Sequence, residues 1–102
     1  MQIHPLHRWD VTPQEAVRIQ QILAPHVIYD HPLDLTSIRL VAGVDVSVRD
    51  GISRAAVVVM RFPTLTVVET VTAAQPTPFP YVPGLLSFRE GPALIEAFEK
   101  VR

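Results

Sequence analysis

The sequence predicts a mixed α/β domain of the α+β kind: a helix, a three-stranded antiparallel meander, a proline-rich connector and a second helix. Three observations predict it. Thr12-Pro13-Gln14-Glu15 is a helix-opening signal. Three apolar, β-branched runs separated by short turn signals follow between Ile38 and Val71. Leu94, Ile95, Phe98 and Val101 then recur on one helical face, with Glu96, Glu99 and Lys100 elsewhere.

In the first helix Thr12 can cap, Glu15 three residues on can reach back to it, and Pro13 suits the first helical position. Val17, Gln20/Gln21 and Leu23/Ala24 continue a loose helical pattern until Pro25. His26 to Leu35, with Pro32, reads as a connection. Ile38 to Val48 (IRLVAGVDVSV) is apolar on both faces, the pattern of a buried central strand. Arg49-Asp50-Gly51 signals a turn, Arg54 to Arg61 a second strand, Phe62-Pro63-Thr64 a break, and Leu65 to Val71 a third strand. Connections this short imply an antiparallel meander. Thr72 to Gly84 holds Pro76, Pro78, Pro80 and Pro83, four of the 10 prolines, and so suits neither a helix nor a central strand. For the last helix, Pro92 favours a start close to Gly91. A start at Ser87, with Ser87 and Glu90 as a capping box, puts Pro92 where an intrahelical bond is needed, so the later start is expected.

A chain of 102 residues forms one domain, divided here into 1–35 (helix and connector), 36–72 (meander) and 73–102 (proline-rich loop and helix). Its 48% hydrophobic content sustains a core, although a chain this short buries a modest share of its surface. Nine basic residues against 10 acidic ones, a net charge of -1, exclude a strongly basic nucleic-acid tail. The absence of cysteine excludes a disulfide framework, a thiolate zinc site and a thiol nucleophile. His4, His7, His26 and His31 lack zinc-protease spacing and read as surface or capping residues; Trp9 and the Leu94/Phe98 stripe read as core. No apolar run is long enough to cross a bilayer and no targeting segment is visible, so the expected address is cytoplasmic, with no membrane partner.

Three features invite chemistry. Asp45 lies mid-strand between Val44 and Val46, on the face of Val41, Gly43 and Ser47. A buried aspartate needs a cation, either an internal partner such as Arg39 or Arg54, or a metal. Glu90 lies at the entrance to the last helix, where the helix dipole alone accounts for it or where it adds a second carboxylate. Pro80-Tyr81-Val82-Pro83-Gly84 sets an aromatic and a branched side chain between two prolines. It is either a rigid prong able to part stacked bases or an ordinary loop whose Tyr81 packs on the sheet.

Together these pieces resemble the endonuclease V family. The likeness runs in order along nearly the whole chain. It comprises a tryptophan before a capped helix containing Gln20, GVDVS at Gly43 to Ser47, AAVVV at Ala55 to Val59, and PYVPGLLSFREGP from Pro80 to Pro92. The resemblance implies the N-terminal part of a ribonuclease H-like fold and a nuclease acting near deoxyinosine in DNA, or inosine in RNA, at the second phosphodiester bond on the 3′ side. It implies that Asp45 and Glu90 are the catalytic, metal-binding carboxylates and that Mg²⁺, with Mn²⁺ as a substitute, is the cofactor. It implies too that Pro80, Tyr81, Val82 and Pro83 form the wedge filling the place of a flipped-out base, and that Gly84, Leu85 and Leu86 border the base pocket. Carboxylates are the hard oxygen ligands that Mg²⁺ takes.

Two departures stand out. Val48 occupies a position that is usually aromatic in that family. A further strand, with another metal-binding aspartate and a lysine, is expected beyond Arg102. In the implied strand order the first strand is central, between the second and that further strand, so here its outer edge would be bare. Self-association, or complementation by a separate C-terminal fragment, is the expected result. Three functions fit: a nuclease assembled from two chains, a nucleic-acid binder that does not cut, and a fragment with neither activity.

Overall fold

The structure, a computed structural model, describes residues 1–102 in the order α1 (Pro13–Leu23), β1 (Leu40–Arg49), β2 (Ile52–Arg61), β3 (Val67–Pro76) and α2 (Leu86–Glu99). The first helix starts as its residues dictate. Thr12 is extended, its hydroxyl oxygen accepts the Glu15 N–H at 3.1 Å and its O–H donates to Glu15 Oε1 at 3.0 Å, with Pro13 at the first helical position. The chain passes Pro25 in one further 3₁₀ turn, Ala24–His26. A second 3₁₀ turn, Leu35–Ser37, is capped by Asp34, whose carboxylate accepts the Thr36 N–H.

The three strands form an antiparallel sheet in the order β1-β2-β3. Arg49 pairs with Ile52 across Asp50 and Gly51. Both of these have positive φ, 53° and 73°, as the tightest hairpin turn requires. β3 corrects the sequence reading, because it runs on to Pro76 where it was expected to end at Val71. It is an outer strand, and a proline ending an outer strand need cost no ladder bond. Gln75 also fixes this end: its Nε2 donates to the Pro92 carbonyl and to Glu96 Oε1.

α2 corrects a second expectation. It begins at Leu86, close to the early start, and carries Pro92 inside it. A proline there forfeits one intrahelical bond, worth about 3 kcal/mol with its steric clash. Burial of Leu85 and Phe88 in the first turn outweighs that loss, and Gly91 lets the helix close on Trp9. Glu90 is therefore in the second turn, past the reach of the helix-end dipole invoked for it.

The core is in two parts. Ala55 and Val57 of β2, Ala73 of β3, and Ala93, Ala97 and Val101 form one cluster, with Val46, Leu94 and Phe98 against it. Ala16 of α1, Phe79, Leu85 and Phe88 form the other, with Trp9, Ile19 and Val82 around them. His7, expected as a surface or capping residue, stacks edge-on to Trp9 at 4.5 Å between ring centroids. α2 covers the face of Val46, Ala55 and Ala73 and leaves the other open. β1 is not a buried strand, because its outer edge is bare even on the covered face. It pairs with β2 alone, and Leu40 and Val44 are 58% and 47% exposed. No helix is long and apolar enough to cross a membrane.

Candidate functional site

Antiparallel pairing fixes which residues share a face. Asp45 is opposite Ala56, which is opposite Thr72, whereas Val46, Ala55 and Ala73 form the neighbouring row beneath α2. Strand alternation thus sets Asp45 on the open face of the sheet. It is exposed, contrary to the expectation of a buried charge. Neither Arg39 nor Arg54 pairs with it; the ion pairs are Arg8–Asp10, His31–Asp30 and Lys100–Glu96. Its Oδ1 accepts the N–H of the adjacent Val46 at 2.9 Å, so the carboxylate is folded along its own strand. A trough of about 570 Å³ runs from it across the open face, past Ser47, Arg54, Thr72 and Lys100.

Glu90 comes from α2. Leu94 and Phe98 lie four and eight residues on, so the three share one stripe of the helix. Phe98 lines an apolar groove with Leu40, Val41 and Ala42 at the start of β1, while Pro92, near the other end, meets Gln75 at the far end of β3. The helix therefore runs counter to β1. Pro92 stands at the row of Gln75, Ser53 and Val48, so Glu90 lies toward the Val48 end of β1, on the helix that covers the face of Val46, whereas Asp45 stands on the other face. Glu90 is half-buried and has no hydrogen-bond or ion-pair partner. The chain contains no group of three or more His, Cys, Asp or Glu able to hold a metal together.

The Pro80–Gly84 loop is held at both ends. The Arg89 Nη1 donates to the Phe79 carbonyl at 3.2 Å, and Gln20 Nε2 donates to the Gly84 carbonyl at 3.1 Å. Inside it, the Leu85 N–H closes a turn on the Val82 carbonyl at 3.0 Å. Pro83 occupies the second position and Gly84, with φ of 86°, the third, as a type II turn requires. Val82 packs into the second core cluster, while Tyr81 is 71% exposed and does not pack on the sheet. Pro80 and Pro83 are exposed beside it. Among the expected pocket residues, Leu85 is a core residue at 3% exposure, whereas Gly84 and Leu86 face solvent. The two clamps were not assigned a role from sequence. Arg89, the one charge in the first turn of α2, was a visible signal; nothing in the sequence marked the bond from Gln20, 64 positions from its acceptor.

Residues 21–102 match the family model for endonuclease V. The endonuclease V of Trichormus variabilis is 50% identical over 104 residues, which takes in 100% of this chain and 47% of the relative. The chain thus spans about half the length of the curated relatives it matches. The crystal structure of Streptomyces avermitilis endonuclease V superposes with a TM-score of 0.82 at 41% identity, over 90% of this chain and 41% of that one. A Ciona intestinalis endonuclease V, solved in complex with a 23mer DNA containing an inosine followed by a ribo-adenosine, superposes with a TM-score of 0.69 at 26% identity, over 88% of this chain and 39% of that one. With its α+β architecture, its GVDVS strand and its loop-to-helix run from Pro80 to Pro92, the chain belongs to the endonuclease V family.

Proposed function

We propose that this chain forms the lesion-probing part of a metal-dependent repair endonuclease acting on DNA or RNA that contains deoxyinosine or inosine, with cleavage at the second phosphodiester bond 3′ to the lesion. The observation that carries the proposal is the juxtaposition of a stiff, doubly clamped loop presenting Tyr81 to solvent with a helix that bears Glu90. A ribonuclease H-like architecture is the frame in which these parts work together. Pro80 and Pro83 hold the backbone, so Tyr81 enters a duplex without reorganising, and Gly84 and Leu86 border the space taken by the flipped base.

Asp45 and Glu90 would hold the divalent ion, Mg²⁺ with Mn²⁺ as a substitute. The donor set suits it: both are carboxylates, neither is neutralised by a cation of the chain, and both remain open to further oxygen ligands. When bound, the ion supplies charge neutralisation at phosphorus and a more acidic water. Two carboxylates leave most of its coordination to water, to substrate phosphate and to groups outside these residues. The bare edge of β1 is where another strand would pair, from a second copy or from a complementing chain that carries those groups. We place the enzyme in the cytoplasm.

The test is nicking of a deoxyinosine duplex by the chain in the presence of Mg²⁺. Nicking that disappears in Asp45→Ala, in Glu90→Ala and on chelation supports the proposal. The absence of a three-ligand cluster favours a second reading, a binder that does not cut. Binding that weakens in Tyr81→Ala, with no cleavage at any metal concentration, selects it. A chain that neither binds nor cuts inosine-containing strands refutes both.

A further inference from the structure

We infer that Gln20 is a positioning residue for the Pro80–Gly84 prong, its amide setting where Tyr81 stands relative to the helix that carries Glu90. The inference rests on the proposal above that Tyr81 enters the duplex. Gln20 lies one helical turn after the fully buried Ala16 and next to Ile19, which packs on the same cluster, so its backbone is anchored. Its Nε2–H donates to the Gly84 carbonyl at 3.1 Å, the one hydrogen bond from α1 to the loop. Arg89 holds the other end, through the Phe79 carbonyl, but Arg89 belongs to the same helix as Glu90. The two clamps therefore differ in what they do. Arg89 ties the loop to the element bearing the carboxylate, and Gln20 ties it to a separate element, fixing the remaining freedom of rotation.

Gly84 is the point where such a tether acts most strongly. Its positive φ places it at the turn that reverses the loop into α2, and the glycine backbone has more accessible conformations than any other residue. Releasing the Gly84 carbonyl lets the turn relax while Leu85, two atoms of backbone further on, stays in the core. The side chain displaced by that relaxation is Tyr81, which has no hydrogen bond of its own and stands between the two clamps. A prong whose tip is free needs its base held; that is the task of Gln20.

The decisive variants are Gln20→Glu, which keeps volume and replaces the donating amide with a group that repels the Gly84 carbonyl, and Gln20→Met, which removes the donor without adding charge. The first readout needs no nucleic acid. Hydrogen exchange at the Leu85 amide, bonded to Val82, should accelerate about fivefold or more in both variants, the size of one net hydrogen bond, and by a larger factor than any β2 amide. The second uses a duplex with 2-aminopurine beside deoxyinosine, whose fluorescence rises on unstacking. The wild-type chain at saturation should raise it, Tyr81→Ala should not, and the Gln20 variants should give a rise about fivefold smaller. Wild-type exchange at Leu85 together with a full fluorescence rise in Gln20→Glu and Gln20→Met overturns the inference and leaves the insertion of Tyr81 standing. A rise that survives in Tyr81→Ala, or no rise with the wild-type chain, removes the insertion itself and the inference with it.

Discussion

Gly91 is the one glycine of the four where an added methyl group meets a neighbour, and replacing it by alanine should destabilise the chain. A methyl group on its Cα would stand 2.6 Å from both Cη2 and Cζ3 of Trp9 and 3.3 Å from Cζ2. Real contacts do not reach that distance, so the indole must move. Overpacking of this kind costs about 1–3 kcal/mol. The indole also makes edge contacts with His7 at 4.5 Å and Phe88 at 5.4 Å, and displacing it weakens pairs worth about 0.5–1.5 kcal/mol each. Against this, alanine is favoured over glycine inside a helix by about 1 kcal/mol. Gly91→Ala should therefore lose about 1–3 kcal/mol, and each kcal/mol should lower the melting temperature by about 4–8 °C in a domain of this size. In a Trp9→Ala background the clash is gone and the helix term remains, so the same substitution should stabilise by about 0.5–1 kcal/mol. Urea unfolding of the four proteins, with m-values compared, measures the cycle. If Gly91→Ala stabilises the chain while Trp9 is present, or if the two substitutions simply add, the packing of the indole on α2 is not as described.

Thr12→Ala should destabilise by about 1 kcal/mol in the same unfolding assay, since it removes both bonds of the first cap. Asp45→Ala should leave stability within about 0.5 kcal/mol of wild type, because the side chain is exposed and unpaired, while removing any metal-dependent nicking; a large loss of stability would assign it a structural role. Asp34 accepts bonds from Thr36, which hold its carboxyl below the ordinary value. A depressed carboxylate contributes stability that is complete above its ordinary pKa and lost as pH falls through the lower folded-state value, so the chain should weaken below about pH 4. Asp34→Asn should flatten that part of a stability-against-pH curve, and equal slopes would contradict the assignment. Val44→Lys, on the outer strand, should reduce self-association measured by sedimentation velocity if the β1 edge is where chains pair.

Local chemistry was read well from the residues. Thr12, Pro13 and Glu15 satisfy one another within four residues, and Asp50-Gly51 carries its own backbone preference, so the start of α1 and the first hairpin needed no tertiary information. The misreadings occur where distant residues decide. The run of prolines after Val71 argued for a strand end there, and Pro92 for a helix start near Gly91, and neither holds: the outer position of β3 and the burial of Leu85 and Phe88 lie outside any local window. Apolar residues on both faces of β1 spoke for burial, but burial needs a covering layer, and these 102 residues supply one on a single side. Asp45, Glu90 and Tyr81 were found as anomalies and joined by a motif rather than by physics, since nothing in spacing alone relates residue 45 to residue 90. The Gln20 and Arg89 clamps join residues whose proximity only the folded chain creates.

The division of the core has a consequence for how the molecule opens. Pro92 interrupts the bonding of α2 between Phe88, which belongs with α1 and the loop, and Ala93, which belongs with the sheet. Glu90 and Gly91 occupy the seam. Partial melting of the N-terminal cluster would peel away the first turns of the helix up to that missing bond, taking one acidic group with them, while the sheet and the other stayed ordered. On the proposed metal role of Asp45 and Glu90, affinity for a divalent ion would then report the integrity of a joint between two small bodies, and raising the stability of either body alone would do little to tighten it.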